Sequence, residues 1–139
     1  MEDHLAAPKI AVAVRLDLEA WQKLNVTAFT TSGVTAHWPD LVGDPYEDGS
    51  GQGYLALLGH PVLVFGGDGA ALTRAFRRAL DRGLAVAVYT DDLFATGNDR
   101  DNRAAVRAVA TDDLVLAGFA VAGPARMVDK VVDKLRLHP

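Results

Sequence analysis

The stretch KIAVAVRLDL, residues 9–18, decides the fold. Its core, Ile10–Val14, is short and wholly apolar, with β-branched residues at alternate positions. This pattern is typical of a strand that other elements cover on both faces. Arg15 and Asp17 follow directly, and Asp17 is a residue type that often caps a helix. A buried strand that leads into a helix in this way indicates a layered α/β protein.

The segment after this strand predicts a helix with an unusual polar content. Apolar residues recur at helical spacing from Leu18 to Phe29, and Gly33 is expected to end the helix. We predict that Trp21 lies in the core, because tryptophan is mostly buried in globular proteins. The segment also carries polar side chains that a purely structural helix does not require: Lys23, Asn25, Thr27 and Thr30.

Strand and helix patterns alternate along the rest of the chain. Residues 34–53, which include Tyr46, are rich in Gly, Pro and Asp and predict a long loop that serves as a lid or a dimer contact. Strands are predicted at 54–58, 62–65, 84–89 and 114–122. Helices are predicted from Asp68 to Gly83, between 91 and 110, and after Pro124. Residues 1–139 therefore predict one domain, a three-layer α/β/α sandwich with a mainly parallel mixed sheet of about four to five strands.

The composition excludes several classes of protein. Hydrophobic residues make up 50% and charged residues 23% of the chain, which is typical of a globular protein. The formal net charge of −4 argues against a protein that coats nucleic acid. There is no cysteine for a disulfide or a thiolate site. No apolar run approaches the roughly 20 residues of a membrane helix, and Met1–Leu5 lacks the features of a signal peptide. We expect a cytoplasmic protein.

The remaining motifs do not predict a metal site or a cofactor site. The four histidines are dispersed, so no metal site is expected. Gly66–Gly69 follows a strand and opens a helix, which allows either a phosphate loop or a tight turn with a helix cap. We favour the turn, since the residues that complete a nucleotide motif are missing, and we expect no cofactor. Four arginines predict either a solvated helix face, which we favour, or a weak contact with an RNA backbone: Arg74, Arg77, Arg78 and Arg82.

Several short motifs, in their order and spacing, carry a resemblance to known families. They are RLDL at 15–18, YTD at 89–91, GP at 123–124, DKV at 129–131 and LRL at 135–137. In these the chain resembles the class-II peptidyl-tRNA hydrolases. Through WQKLNVTAF at 21–29, GDPYED at 43–48 and DLFATG at 92–97 it also resembles an uncharacterised bacterial family of unknown function, the one numbered two thousand. The resemblance implies a peptidyl-tRNA hydrolase II-like fold.

The same resemblance implies where catalytic residues would stand. Asn25 falls at the helix lysine of the hydrolases, with Lys23 half a turn before it, and Ser32 falls at their histidine. Asp91 matches their acidic residue after the strand, and their next threonine falls beside Thr96. Asparagine cannot anchor a phosphate as a cationic lysine does. The substitutions therefore imply that peptidyl-tRNA hydrolysis is lost.

A candidate site follows if strands 10–14 and 84–89 are parallel neighbours. Open α/β sheets bind ligands at the C-terminal ends of their strands. Asp91 could there act as a general base or orient a water, while Asn25 and Thr27 could hold a carbonyl or an oxyanion. The alternative for Asp91 is a cap on the short helix that follows. The polar side chains expected to converge are Arg15, Asp17, Asn25, Tyr89, Asp91 and Asp92.

Two functions of different class remain open. The first is a small-molecule or partner-binding module, expected to be a homodimer, in which the hydrolase scaffold is kept and its activity is absent. The second is a small hydrolase or transferase that acts on an ester or an amide through Asp91. We favour the first, because the substitutions remove reactive groups and a shared fold does not imply a shared function.

Overall fold

The structure, a computed structural model, describes residues 7–139. Its strands are β1 (Pro8–Arg15), β2 (Tyr46–Glu47), β3 (Gly53–Tyr54), β4 (Val62–Gly67), β5 (Val86–Thr90), β6 (Leu116–Pro124) and β7 (Arg136–Leu137). Its α-helices are α1 (Ala20–His37), α2 (Gly69–Asp81), α3 (Asp99–Arg107) and α4 (Ala125–Val132). Met1–Leu5, on which the expectation of no signal peptide rests, lie outside the described residues.

The main sheet has five strands in the order β5-β6-β1-β4-β7. Only β1 and β4 pair in parallel, and the other three pairs are antiparallel. The prediction of a mainly parallel sheet is therefore wrong, and β1 and β5 are not neighbours because β6 lies between them. The reason is that an unbroken apolar run indicates burial on both faces, and a central antiparallel strand meets that condition as well as a parallel one. The fold is a mixed α/β fold with a five-stranded mixed sheet.

Helices cover both faces of this sheet and give two apolar clusters. On one face, α2 and α4 pack against each other and against β6 and β1. Their cluster is centred on Phe119, Leu72 and Val131. On the other face, α1 packs against β6, β5 and β1 around Ile10 and Val26. Within residues 7–139, no helix is both long enough and apolar enough to cross a bilayer.

Helix α1 faces the sheet with a different side from the one that the apolar spacing predicted. Its buried residues are Val26, Thr30 and Val34. Trp21 is 57% exposed and Phe29 is 56% exposed, so the prediction that Trp21 lies in the core is wrong. The larger apolar side chains of the helix therefore point away from the sheet.

Two glycines explain this orientation of α1. A Cβ on Gly118 of β6 would lie 2.5 Å from the Ala13 carbonyl oxygen and 2.6 Å from Cγ1 of Val26. A Cβ on Gly33 would lie 3.0 Å from Cβ of Ala87 in β5. The helix and the sheet thus approach so closely that only small or compact side chains fit between them. The bulky residues of α1 are excluded from this contact.

The ends of α1 also differ from the prediction. The N-cap is Glu19, which forms a capping box with Gln22. Asp17 is not the cap, because its carboxylate accepts a hydrogen bond from Nε of Arg15 at 2.6 Å. Gly33 does not end the helix, which continues to His37. Gly33 is therefore explained by the close packing of α1 against β5, and not by a turn at the end of the helix.

Residues 34–53 are not one irregular loop. They contain the end of α1, a 3-10 helix at Pro39–Leu41 and the start of a ribbon formed by β2 and β3. The predicted strand at 54–58 is wrong, because the pairing with β2 ends at Tyr54 and only Leu58 pairs again, in an isolated bridge with Val42. Leu55 beyond it is 86% exposed. Leu58 at the end of the segment packs against the cluster around Ile10 and Val26, but a single bridge does not make a strand of residues 54–58.

Asp48 holds the turn of this ribbon together. Its carboxylate accepts hydrogen bonds from the backbone N–H groups of Ser50 and Gln52, at 2.9 and 3.0 Å, and from the Tyr54 hydroxyl at 2.8 Å. The Tyr54 hydroxyl and these backbone groups lower the pKa of Asp48, and the same carboxylate raises the pKa of Tyr54. The turn is thus fixed locally by one side chain.

The second half of the chain follows the sequence prediction more closely. Asp68 caps α2 by accepting a hydrogen bond from the Ala71 N–H at 2.8 Å, as the turn-and-cap interpretation of Gly66–Gly69 predicted. Gly83 follows α2 with a φ of +70°, a conformation that favours glycine. The arginine face is not wholly solvated, because the half-buried Arg78 donates to the Val131 carbonyl at 2.8 Å from Nη2. Burial lowers the pKa of Arg78.

The orientation of α1 makes a direct prediction for stability. Val26→Ala should lower the free energy of unfolding by about 2 kcal/mol, because Val26 is fully buried. Leu24→Ala should change it by less than about 0.5 kcal/mol, because Leu24 is 71% exposed. Urea unfolding followed by circular dichroism measures both. A larger loss for Leu24→Ala than for Val26→Ala would contradict the observed orientation.

Candidate functional site

Arg15 organises the polar groups at the end of the sheet where the central strand β1 stops. Its Nη1 and Nη2 donate to the two carboxylate oxygens of Asp91, at 2.8 and 3.1 Å. Nη1 also donates to the Leu116 carbonyl at 2.8 Å, and Nε donates to Asp17. The Arg15 side chain is 13% exposed and that of Asp91 is 39% exposed. Arg15 thus pairs with two carboxylates at this end of β1.

This network uses four of the five N–H groups of the Arg15 guanidinium and one acceptor site on each Asp91 oxygen. The hydrogen bonds to Asp91 raise the pKa of Arg15, so the guanidinium keeps its charge. Each Asp91 oxygen receives one N–H in the planar, two-pronged geometry of an arginine–carboxylate pair. The backbone N–H of Asp91 donates to the Val115 carbonyl at 3.0 Å. Asp91 thereby fixes the chain between β5 and the 3-10 helix at Asp91–Ala95.

A cavity of about 910 Å³ lies beside this network, at the free edge of β5. Its walls come from the outward side of α1, from β5, from the 3-10 helix and the turn after it, and from α3. A volume of this size fits a small organic ligand. The lining residues are Trp21, Asn25, Phe29, Thr30, Gly33, Ala87, Val88, Tyr89, Leu93, Phe94, Thr96, Gly97, Asn98, Asp99, Asn102, Arg103, Val106 and Arg107.

Four aromatic rings form a continuous wall of the cavity. Trp21 meets Phe94 edge to face with 5.8 Å between ring centroids. Phe94 lies 5.0 Å from Tyr89, and Tyr89 lies 6.0 Å from Phe29. Such contacts favour a fixed arrangement of the rings. Because Trp21 and Phe29 are more than half exposed, the wall is open to solvent at both ends.

The polar groups of the cavity are mainly neutral. Nδ2 of Asn25 donates to the Tyr89 hydroxyl oxygen at 3.0 Å. The Thr96 hydroxyl lies against the Leu93 carbonyl at 3.0 Å and against Oδ1 of Asn102. Asn98 caps α3 by accepting from the Asp101 N–H. Amides and hydroxyls of this kind orient a ligand through hydrogen bonds.

The structure divides the expected cluster of site residues into two groups. Asn25, Tyr89 and Thr96 lie together in the cavity. Arg15, Asp17 and Asp91 lie together at the sheet edge, and none of these three is among the described residues that line the cavity. The division follows from β6, because the Leu116 carbonyl and the Val115 carbonyl draw Arg15 and Asp91 toward that strand.

The remaining candidates lie outside both groups. Lys23 is half-buried, and its carbonyl accepts a hydrogen bond from the Thr27 hydroxyl at 2.8 Å. Asp92 is exposed in the first turn of the 3-10 helix. The hydroxyl of Ser32 is bonded to the Phe29 carbonyl at 2.6 Å. Tyr46 lines a separate cavity of about 420 Å³ beside the ribbon.

Several lining residues were missed in the sequence. Trp21, Asn25, Phe29 and Gly33 are spaced four residues apart and therefore share one side of α1. That spacing was the available signal for a polar and aromatic site on the helix. For Asn102 and Arg107 of α3 no such signal exists, because a short charged helix has the same pattern wherever it packs. Within residues 7–139, no group of three or more acidic or histidine side chains could hold a metal ion.

Fold and cavity together define a mixed α/β protein with an aromatic pocket at a sheet edge. The chain belongs to the family described as "Protein of unknown function (DUF2000)", whose model matches residues 8–139. It is similar to a solved structure of a protein of unknown function from Agrobacterium tumefaciens, with 38% sequence identity and a TM-score of 0.93. That similarity covers 97% of this chain and 100% of the other. No curated protein matches the chain.

The ion pair at the sheet edge predicts different effects for two adjacent carboxylates. Asp91→Asn should lower the free energy of unfolding by about 1–3 kcal/mol, because it weakens two charge-assisted hydrogen bonds to a largely buried guanidinium. Asp92→Asn should change it by less than about 0.5 kcal/mol, because Asp92 is exposed. Chemical unfolding at neutral pH compares the two variants. If the two variants were equally stable, the Arg15–Asp91 contact would make no measurable contribution to the stability of the fold.

Proposed function

We propose that the chain is a small-molecule-binding module of peptidyl-tRNA hydrolase II-like fold that lacks peptidyl-tRNA hydrolase activity. One observation carries the proposal. The aromatic cavity offers rings and neutral hydrogen-bonding groups, whereas the acidic residue that matches the hydrolases is bound by Arg15 outside the cavity. The order of the motifs along the chain and the helices on both faces of the sheet support the assignment of the fold.

The environment of Asp91 supports binding over catalysis. A general base needs an oxygen that can reach the proton it removes. Both oxygens of Asp91 already accept hydrogen bonds from Arg15, which hold the carboxylate against the guanidinium. The amide of Asn25, at the lysine position, cannot supply a positive charge to a phosphate. The Asp91 carboxylate therefore suits a structural role, and the Asn25 amide suits the recognition of a ligand.

The cavity supports a small ligand as the partner. A site for a small molecule is concave and mostly apolar, with a few polar groups that fix orientation. The rings of Trp21, Phe29, Tyr89 and Phe94 supply the apolar surface, and the amide of Asn25 lies among them. We keep the cytoplasm as the proposed location, because a chain without cysteine lacks the disulfide framework that is common in small secreted domains.

Binding and turnover can be tested on the same protein. Indole should bind and shift the Trp21 indole N–H signal in a proton–nitrogen NMR spectrum, while the signal of Trp38 stays in place as an internal reference. Phe29→Ala should weaken binding about three- to tenfold, because it removes one ring of the wall. Leu24→Ala, on the same helix but away from the cavity, should leave binding unchanged. Peptidyl-tRNA should not be hydrolysed.

The alternative function makes the opposite prediction for Asp91. A small hydrolase or transferase that uses Asp91 would turn over an ester or amide in a substrate panel, and Asp91→Asn would abolish that turnover in a folded protein. This outcome, or peptidyl-tRNA hydrolysis by the wild type, would overturn the proposal of a non-enzymatic module. Absence of indole binding to the wild-type cavity would count against the proposed ligand site.

We also propose that the module is a homodimer. The ribbon and the segment after it expose four large side chains to solvent: Tyr46, Tyr54, Leu55 and Leu57. An exposed apolar surface of this kind is typical of a protein interaction site. The ribbon lies apart from the aromatic cavity, so a dimer through it would leave the cavity accessible.

Light scattering tests the dimer. The mass in solution should be twice the 14.8 kDa of one chain. Leu55→Ser should shift the species toward the monomer, because it replaces the most exposed apolar side chain of the ribbon segment. Leu24→Ser should leave the mass unchanged. A wild-type protein that stays monomeric at high concentration would contradict the dimer.

A further inference from the structure

Among residues 7–139, the charged side chains that line the aromatic cavity all belong to α3. They are Asp99, Arg103 and Arg107. Arg103 forms an ion pair with Asp99 one turn earlier in the helix, so these two charges offset each other. Within residues 7–139, Arg107 has no carboxylate partner. The lining therefore carries one uncompensated positive charge in a chain whose formal net charge is −4.

An uncompensated arginine beside an apolar cavity favours an anionic ligand. The guanidinium is planar and presents paired N–H donors that match a carboxylate or a phosphate. Arg107 is exposed in the last turn of α3, so an anion can reach it without displacing another partner.

The aromatic wall favours a ring as the other part of the ligand. Trp21 and Phe29 are 57% and 56% exposed although both line the cavity. A planar ring inserted along the wall would bury part of both side chains and gain ring–ring contacts. An aliphatic chain would gain the burial but not the ring–ring geometry.

The neutral groups define what else the ligand can carry. Asn25 uses Nδ2 toward Tyr89, which leaves its Oδ1 as an acceptor and the Tyr89 hydroxyl proton as a donor. Asn102 uses Oδ1 toward Thr96, which leaves its NH₂ group as a donor. These groups lie on the walls and can orient polar substituents of the ring.

From these observations we infer that the pocket takes a planar aromatic ring that carries an anionic substituent, a carboxylate or a phosphate. The ring lies along Trp21, Phe29, Tyr89 and Phe94, and the anion is bound by Arg107. This inference rests on the proposed small-molecule-binding function and specifies the ligand class of the same site.

Three matched probes test the ligand class: 2-naphthoate, 2-naphthyl phosphate and the neutral 2-naphthamide. At low ionic strength, at least one anion should bind about tenfold more tightly than the amide, because a charge-assisted hydrogen bond replaces a neutral one. Titration calorimetry gives the affinities, and the Trp21 indole signal reports whether the probe occupies this cavity. Comparison of the carboxylate with the phosphate shows which anion the site prefers.

Two arginine variants of α3 distinguish anion binding by Arg107 from a general effect of the net charge of the protein. Arg107→Gln should remove the preference for the anions and leave the affinity for 2-naphthamide within about twofold, because it deletes the charge and keeps the wall. Arg100→Gln removes the same charge from an exposed position that does not line the cavity. It should leave all three affinities unchanged within about twofold, because solvent and salt screen a charge outside the cavity.

The outcomes distinguish the ligand class from the proposed function. If 2-naphthamide binds as tightly as both anions and Arg107→Gln changes nothing, the ligand class is wrong and the binding module stands. If none of the three probes binds at millimolar concentration, both the ligand class and the small-molecule function are wrong. Equal losses of anion binding in Arg100→Gln and Arg107→Gln would contradict the role of Arg107.

Discussion

The Arg15 guanidinium joins three parts of the chain that are distant in sequence. It extends from the end of β1, bonds the Leu116 carbonyl in β6, and binds both oxygens of Asp91 after β5. A largely buried guanidinium would be costly without these acceptors. Because Asp91 begins the 3-10 helix that carries Leu93 and Phe94, the same contact positions one wall of the aromatic cavity.

The opposite wall depends on how closely α1 approaches the sheet. Gly118 and Gly33 leave room for backbone and compact side chains only, so the helix packs through Val26, Thr30 and Val34. Its larger aromatic side chains are left on the outside, where they meet Tyr89 and Phe94. The cavity thus results from a packing constraint on α1 together with an ion pair beside β5. Within residues 7–139, β5 is an outer strand of the sheet, so no further strand covers the cavity on that side.

Much of the fold could be predicted from the sequence, because its signals are local. Asp68 and Gly83 bound α2 as expected, and α4 begins directly after Pro124 as expected. Strand direction could not be predicted, because β6 is apolar throughout and its burial is the same in either direction. The orientation of α1 could not be predicted either, because it depends on glycines in β6 and on the helix itself that meet only in the folded chain.

The candidate site was predictable in part for the same reason. Asn25, Tyr89 and Thr96 are brought together as neighbours in one cavity. Asp91 was expected beside Asn25, but the pairing of Asp91 with Arg15 depends on β6, which lies between β1 and β5. The role of Trp21 was missed because burial is the usual outcome for tryptophan. The role of Arg107 could not be predicted from the sequence. It depends on the Arg103–Asp99 ion pair, which leaves Arg107 as the unpaired charge among the described lining residues.

We conclude that the Arg15–Asp91 pair positions one wall of the aromatic cavity. Amide hydrogen exchange in Asp91→Asn tests this claim most directly. Residues 93–97 should exchange at least about tenfold faster than in the wild type, because local opening of that segment becomes easier, while residues 118–121 in the centre of β6 keep their protection. A uniform change along the chain, or no change at residues 93–97, would contradict the account.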